Sequence, residues 1–230
     1  FVQEVKRQLE SEFGVRVIRA GGLTIKTTLD LRAQTAAEEA VAAGAETLYL
    51  TGADNIAITS VDVETGQVIA QVGSVDYNKD IYGQTNAAVS QLDPGSSIKP
   101  IVDYAALFKR QQSPVYTPAT ILRDENIDSL YCGGNTGQCQ LRNVTGKFYG
   151  DITIRQSLGN SFNIAAVKAL HIAGVDEGIS TAHALGNLSY CADNRDAGLS
   201  AAIGGGCSVR QDEHTNSYAS LARGGVYKPV

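Results

Sequence analysis

The sequence contains no apolar run approaching the roughly 20 residues that a membrane-crossing helix needs, and no signal-peptide pattern opens it. It also lacks a surplus of positive charge: 19 Lys and Arg stand against 24 Asp and Glu, for a net charge of −5. A nucleic-acid partner is therefore excluded, because no broad basic surface exists to release counterions from a phosphate backbone. Metal-ligand spacing is missing as well. The 4 cysteines form no zinc-ribbon pair with two to four residues between them, and His171, His183 and His214 lie far apart. No metal and no cofactor is expected.

What is present is enough apolar material for a real core, 43% of 230 residues, which fits one full domain plus a smaller piece. The chain enters in helical phase at Phe1 to Glu10 with nothing in front, so it reads as an excerpt of a longer protein. The cysteines allow three pairings, and disulfides are expected in preference to ligands or free thiols. Pairing within each neighbouring couple, Cys132 with Cys139 around Gly-Gly-Asn-Thr-Gly-Gln and Cys191 with Cys207, would stabilise the fold by about 2–3 kcal/mol per bridge. Such bridges imply an oxidising compartment.

Hydrophobic periodicity predicts a helix over 1–13, then a hairpin of Val15–Ile18 and Leu23–Thr28 about Gly21-Gly22. Asp30 is placed to cap an Ala-rich helix from Leu31 to Leu48. Period-two alternation over Ile56–Val63 and Gln67–Val72, turning at Glu64-Thr65-Gly66, predicts a second hairpin. Beyond Asp93-Pro94-Gly95 the pattern is mainly helical, with an irregular stretch from about 112 to 150. Strands followed by helices point to an α+β fold, and an isolated hairpin needs further strands to cover its edges.

The chemistry-bearing segment is Pro94-Gly95-Ser96-Ser97-Ile98-Lys99-Pro100. If a helix begins at Ser96, residues three apart share a face, so Ser96 Oγ and Lys99 Nζ can meet while Ser97 cannot join them. A serine hydroxyl needs a base to become a nucleophile, and a desolvated lysine can be one. The helix N-terminus adds free N–H groups where an oxyanion would form. Read alone, Ser96 is as well explained as a helix cap and Lys99 as a solvated residue. A second element is the break Gly159-Asn160-Ser161-Phe162-Asn163 inside a helical stretch, from which Ser161 and Asn163 can project toward one cleft. Ser-x-x-Lys accompanied by a Ser-x-Asn element is a pairing known from penicillin-binding proteins and β-lactamases.

These residues make a wider resemblance readable. Gly21-Gly22-Leu23-Thr24-Ile25-Lys26-Thr27-Thr28-Leu29-Asp30 looks like the linker of class A (bifunctional) penicillin-binding proteins. Val61–Ala70, Pro94–Pro100, Gly146-Lys147-Phe148-Tyr149-Gly150 and Tyr218–Tyr227 resemble the same family in the same order, so the match runs from about 1 to 230. The resemblance implies Ser96 as the acylated nucleophile and Lys99 as its base. It implies Ser161 as a proton relay toward the leaving group and Asn163 as a partner of Lys99 or the substrate amide. It further implies a linker over 1–50 between glycosyltransferase and transpeptidase domains, and the N-terminal part of the transpeptidase domain over 51–230. The expected fold is an antiparallel sheet with helices on both faces, incomplete in this chain.

The implied activity is peptidoglycan D,D-transpeptidation through a serine acyl-enzyme, open to β-lactam inhibition. Implied partners are D-Ala-D-Ala stem peptides, β-lactams and the remainder of the polypeptide. The implied location is the extracytoplasmic face of a bacterial membrane, reached through an anchor outside this chain. A carboxypeptidase or β-lactamase on the same fold, or a penicillin-sensing module without turnover, are the alternatives; Phe162 in place of the Asp of Ser-Asp-Asn argues against a β-lactamase. One family element is missing: no Lys is followed by Thr-Gly or Ser-Gly. That motif is expected after Val230, and 1–230 alone is expected to be a poor catalyst. Asn143-Val144-Thr145 is read as a chance glycosylation pattern, Gly204-Gly205-Gly206 as a loop before a helix, and the histidines as structural or solvated.

Overall fold

Residues 1–79, 82–133, 139–193 and 197–229 are described by the computed structural model, which divides into one unit of Phe1–Ser90 joined by the chain end from Lys228 and another of Gln91–Tyr227. In the first unit, helix α1 (Val2–Phe13) forms as its periodicity predicts. The hairpin expected next does not. Val15–Ala20 is a short helix, α2, and residues 21–30 carry no strand assignment. Val15 and Ile18 are three apart, as on a helix face, while Val15 and Val17 are two apart, as in a strand, so six residues cannot decide between the two periods, and a helical turn satisfies its own backbone without a partner. The end of the following segment lies along a different strand, where Thr28 Oγ1 donates to Val68 O at 2.5 Å and Asp30 N to Ile69 O at 2.9 Å.

Helix α3 (Leu31–Ala45) starts at Asp30, whose Oδ1 accepts from Arg32 N at 2.8 Å and Ala33 N at 3.2 Å. It ends earlier than expected, with a single turn, α4 (Leu48–Thr51), following. The hairpin around Gly66 is present as β1 (Ile58–Val61) and β2 (Val68–Val72), antiparallel with Ile58 opposite Val72. Asp62 Oδ1 closes its turn by accepting from Thr65 N and Oγ1 at 2.7 and 2.6 Å. Gln34 on α3 binds both backbone groups of Gln71, tying helix to strand.

The second unit begins with β3 (Gln91–Leu92) and runs through a continuous helical stretch that changes pitch: a 3₁₀ turn at Gly95–Ile98, a π segment at Pro100–Ala105 and α5 (Ala106–Lys109). Next come β4 (Ile121–Asp124), α6 (Asp128–Tyr131), β5 (Gly150–Thr153), α7 (Ile154–Gly159), α8 (Asn163–Ala173) and α9 (Val175–Ala184). A 3₁₀ turn at Leu199–Ile203, β6 (Val209–Arg210) and α10 (Gln211–Ala222) complete it. The architecture is α+β, its strands forming three two-stranded antiparallel ribbons among the described residues, β1–β2, β3–β6 and β4–β5. Strand β4 falls in the stretch that had read as irregular, and β5 begins at its end.

Helix α8 is the centre of this unit because its apolar residues are buried on two faces. Ile164, Val167 and Leu170 pack with Ile98, Ile101, Val102 and Leu185. On the opposite face Ala165, Ala166 and Ala169 let Tyr104, Leu107, Leu122 and Ile154 approach closely. Both neighbouring cysteine couples are bridged, with Cα–Cα distances of 5.8 Å for Cys132–Cys139 and 4.6 Å for Cys191–Cys207. Most of the loop that the first bridge closes, 134–138, lies outside the described residues.

Leu170→Ala, which empties a fully buried position in the centre of the core, is expected to lower stability by about 2–5 kcal/mol. Leu188→Ala, at a position 52% exposed, is expected to stay within about 0.5 kcal/mol. Chemical denaturation of the two variants measures the contrast.

Candidate active site

The turn that carries Ser96 is built by Pro94, Gly95 and Pro100. Gly95 adopts φ 54, a left-handed conformation that a side chain would strain, and Gly204 packs so closely on it that a Cβ there would lie 2.5 Å from Gly95 N. Pro100 has no N–H to donate back to Ser96 O, and Lys99 N takes that carbonyl instead in a 3₁₀ bond. The helix then widens into its π segment, a feature often found at functional sites. Ser96 is exposed, and its hydroxyl makes no hydrogen bond among the described residues. Ser97, also exposed, is tied down: its Oγ donates to Pro94 O at 2.6 Å.

Lys99 is buried in the protein, with 1% of its surface exposed. Its Nζ donates to Ser161 O at 2.7 Å, Ser161 Oγ at 3.2 Å and Asn163 Oδ1 at 2.7 Å. No hydrogen bond joins it to Ser96 among the described residues. Burial lowers its pKa from 10.5 to about 8, against the opposing charge of Asp103. Asp103 itself is completely buried, and neither carboxyl oxygen has a hydrogen-bond partner among the described residues. Burial pushes that carboxyl well above the usual range, against the nearby Lys99, whose charge favours the ionised form.

The partners of Lys99 come from the turn between α7 and α8, and helix-end chemistry explains their placement. Phe162 N donates to Ser157 O at 2.9 Å and Ser161 N to Leu158 O at 3.0 Å, the paired bonds of a Schellman ending. This ending needs a left-handed residue at the position Ser161 occupies, and Ser161 has φ 54 where glycine is the usual choice. The left-handed turn aims the Ser161 carbonyl at Lys99, and the chain re-enters helix with Asn163 as the first residue of α8.

Two residues that sequence reasoning missed, Asn143 and Arg142, bond Asn163 directly and hold it in place. Asn143 Oδ1 accepts from Asn163 N at 2.8 Å, satisfying one of the free N–H groups that begin α8. Its Nδ2 donates to Asp124 Oδ2 and to Lys147 O at 2.8 and 2.9 Å, and Tyr149 N shares the same Asp124 oxygen at 2.8 Å. Asn163 Nδ2 donates to Arg142 O at 2.8 Å, leaving its Oδ1 turned toward Lys99. Tyr149 stacks on Phe162 with centroids 4.6 Å apart. The Asn-Val-Thr pattern is thus a buried structural asparagine, 3% exposed, and nothing in its local sequence marks that role. Of the four residues expected at the site, the structure joins Lys99, Ser161 and Asn163 by direct bonds and places Ser96 on the turn that leads into Lys99.

The family described as the penicillin-binding protein transpeptidase domain matches residues 56–230. The chain belongs to that family, and within it to the class A proteins. Penicillin-binding protein 2D of Bacillus subtilis (strain 168) is 33% identical over 229 residues, covering 98% of this chain and 31% of that protein. Penicillin-binding protein 1A of Streptococcus pneumoniae (strain ATCC BAA-255 / R6) is 30% identical over 236 residues, covering 100% of this chain and 31% of that protein. The chain therefore spans about a third of the length of these relatives. Among solved structures, the PonA1 protein from Mycobacterium tuberculosis in complex with penicillin V superposes with a TM-score of 0.77 at 24% identity, over 99% of this chain and 59% of that one. That likeness establishes the fold.

Because Ser161 occupies a position that favours glycine, Ser161→Gly is expected to match or exceed the parent's stability by up to about 1 kcal/mol. Ser161→Val, branched at Cβ, is expected to lose about 1–2 kcal/mol. Denaturation midpoints measure both.

Proposed function

We propose that this chain carries the acylating centre of a peptidoglycan D,D-transpeptidase, with a linker over 1–50 and the N-terminal part of the transpeptidase domain over 51–230. The observation that carries the reading is the buried Lys99 amine, lowered to about 8 and held by Ser161 and Asn163, one helical turn from the exposed Ser96. In this reading Ser96 Oγ attacks the carbonyl between the two terminal D-Ala residues of a stem peptide, and its proton passes to the neutral Lys99 amine. The C–N bond then breaks. Terminal D-Ala leaves with a proton relayed from Lys99 through Ser161 Oγ, while Asn163 keeps the amine oriented. The amino group of a neighbouring stem attacks the ester, forms the new amide and returns Ser96 to its free hydroxyl.

A β-lactam enters by the same attack, its strained amide standing for the D-Ala-D-Ala bond. Contact with the stem carboxylate, and the rest of the oxyanion hole, are assigned to a Lys-Thr/Ser-Gly strand that 1–230 does not contain. The two disulfides support placement on the extracytoplasmic side of a bacterial membrane, with anchoring by a segment outside these residues.

In the full-length protein, labelled penicillin is expected to form its adduct on Ser96, located by mass spectrometry, and Ser96→Ala to abolish labelling. An adduct on Ser97 would contradict the assignment. Lys99 is protonated below about pH 8 and cannot then accept the Ser96 proton, so its free-base fraction at pH 7 is about one tenth. The acylation rate is expected to climb with pH and level off above about 8; a profile flat from about pH 6 to 9 would exclude Lys99 as the base.

A further inference from the structure

Ser97 and His214 form a linkage that the acylation chemistry does not use. His214 Nε2 lies 2.9 Å from Ser97 Oγ, and His214 Nδ1 lies 3.0 Å from Asn187 Nδ2. Proton directions in this chain follow from a backbone carbonyl. Pro94 O can only accept, so the single hydroxyl proton of Ser97 goes to it, and His214 Nε2 must be the donor to Ser97 Oγ. A neutral imidazole protonated at Nε2 has a bare Nδ1, and the Asn187 amide supplies the matching N–H. Burial keeps the ring neutral by lowering it to about 4. Asn187 is fully buried, and its Oδ1 has no partner among the described residues.

A second bond from the same helix reaches the same residue. Tyr218 Oη donates to Ser97 O at 2.6 Å, and its ring meets that of His214 edge-on at 5.4 Å. Helix α10 therefore grips both the side chain and the carbonyl of the residue next to Ser96. Lys99 is fixed by a different route, through the α7–α8 turn. Nucleophile and base thus have separate anchors, and their mutual placement depends on both.

We propose that His214, as the neutral Nε2–H donor to Ser97, is a positioning residue that fixes the Ser96 turn against Lys99 for acylation. The inference rests on the transpeptidase reading above. Misplacement of a reacting atom by about 1 Å costs on the order of a hundredfold in rate. A loosened turn is therefore expected to slow bond formation and to leave noncovalent binding nearly unchanged. The direction of the Ser97 proton also means that His214 does not activate Ser97 as a second nucleophile.

The test is time-resolved acylation of the full-length protein by labelled penicillin, separating the initial binding constant from the first-order acylation rate. Ser97→Ala and His214→Phe are each expected to lower the acylation rate by about 10–100-fold with binding altered less than about threefold. The double variant is expected to be no slower than the worse single variant, because both break one chain. Ser97→Thr, which keeps the hydroxyl, is expected to retain the parent rate within about threefold. Imidazole ¹⁵N spectra are expected to show the Nε2–H tautomer of His214.

An Nδ1–H tautomer would overturn the proposal, as would parent-like acylation in Ser97→Ala, an exposed position at which folding is retained. A Ser97→Thr variant as slow as Ser97→Ala would also overturn it. If the parent protein takes no label at Ser96, the transpeptidase reading fails and this inference with it. Labelling at Ser96 with unaltered rates in the variants removes only the inference.

Discussion

A lysine amine buried in a protein core must find hydrogen-bond acceptors or give up its charge, and Lys99 is arranged for both. Its three contacts match the three hydrogens of an ammonium, while burial brings its pKa close to neutral, so the protonated and free forms are both within reach. The surroundings follow from this requirement. Two of the acceptors need Ser161 in a left-handed turn, and the third needs Asn163 at the start of α8. That helix in turn is held by core packing on two faces. Asp103 adds a second buried ionisable group four residues along the same helical stretch. Paired ions at this depth would be costly to desolvate, and burial shifts both groups toward their uncharged forms, Asp103 upward and Lys99 downward.

The site is assembled from remote pieces, each supplying one constraint. The β4–β5 ribbon contributes Asp124, which fixes Asn143, and Asn143 caps α8 and thereby orients Asn163. The β3–β6 pairing and the close contact of Gly204 with Gly95 place the chain entering the Ser96 turn. Stability and function are coupled here: the groups that satisfy the buried backbone at the start of α8 also decide where the lysine acceptors point.

The parts legible in the sequence were those set by local rules. Ser96 and Lys99 are three apart on a helix, and the Gly-Asn-Ser-Phe-Asn break announced a helix end followed by a restart. The hairpin around Gly66 and the cap at Asp30 follow from turn and capping chemistry within a few residues. The Val15–Thr28 hairpin failed because a six-residue segment with apolar positions suited to both periods leaves the choice to tertiary partners. Asn143 and His214 were illegible for a different reason. Asn143 meets Asn163 from 20 residues away and His214 meets Ser97 from 117 residues away, distances over which a single sequence carries no pairing signal. Ser96 and Lys99 share a stretch of helix, but the hydrogen bonds that Lys99 makes among the described residues go to the α7–α8 turn, which its own local sequence does not announce.

The central claim is that burial leaves Lys99 able to act as a free base near neutral pH. Its direct measurement is an NMR titration of the Lys99 ε-methylene carbon in the unacylated full-length protein, assigned by comparison with Lys99→Arg. The account predicts a midpoint near pH 8, well below the 10.5 of an ordinary lysine. A midpoint at or above 10 would show Lys99 locked as an ammonium and would contradict it.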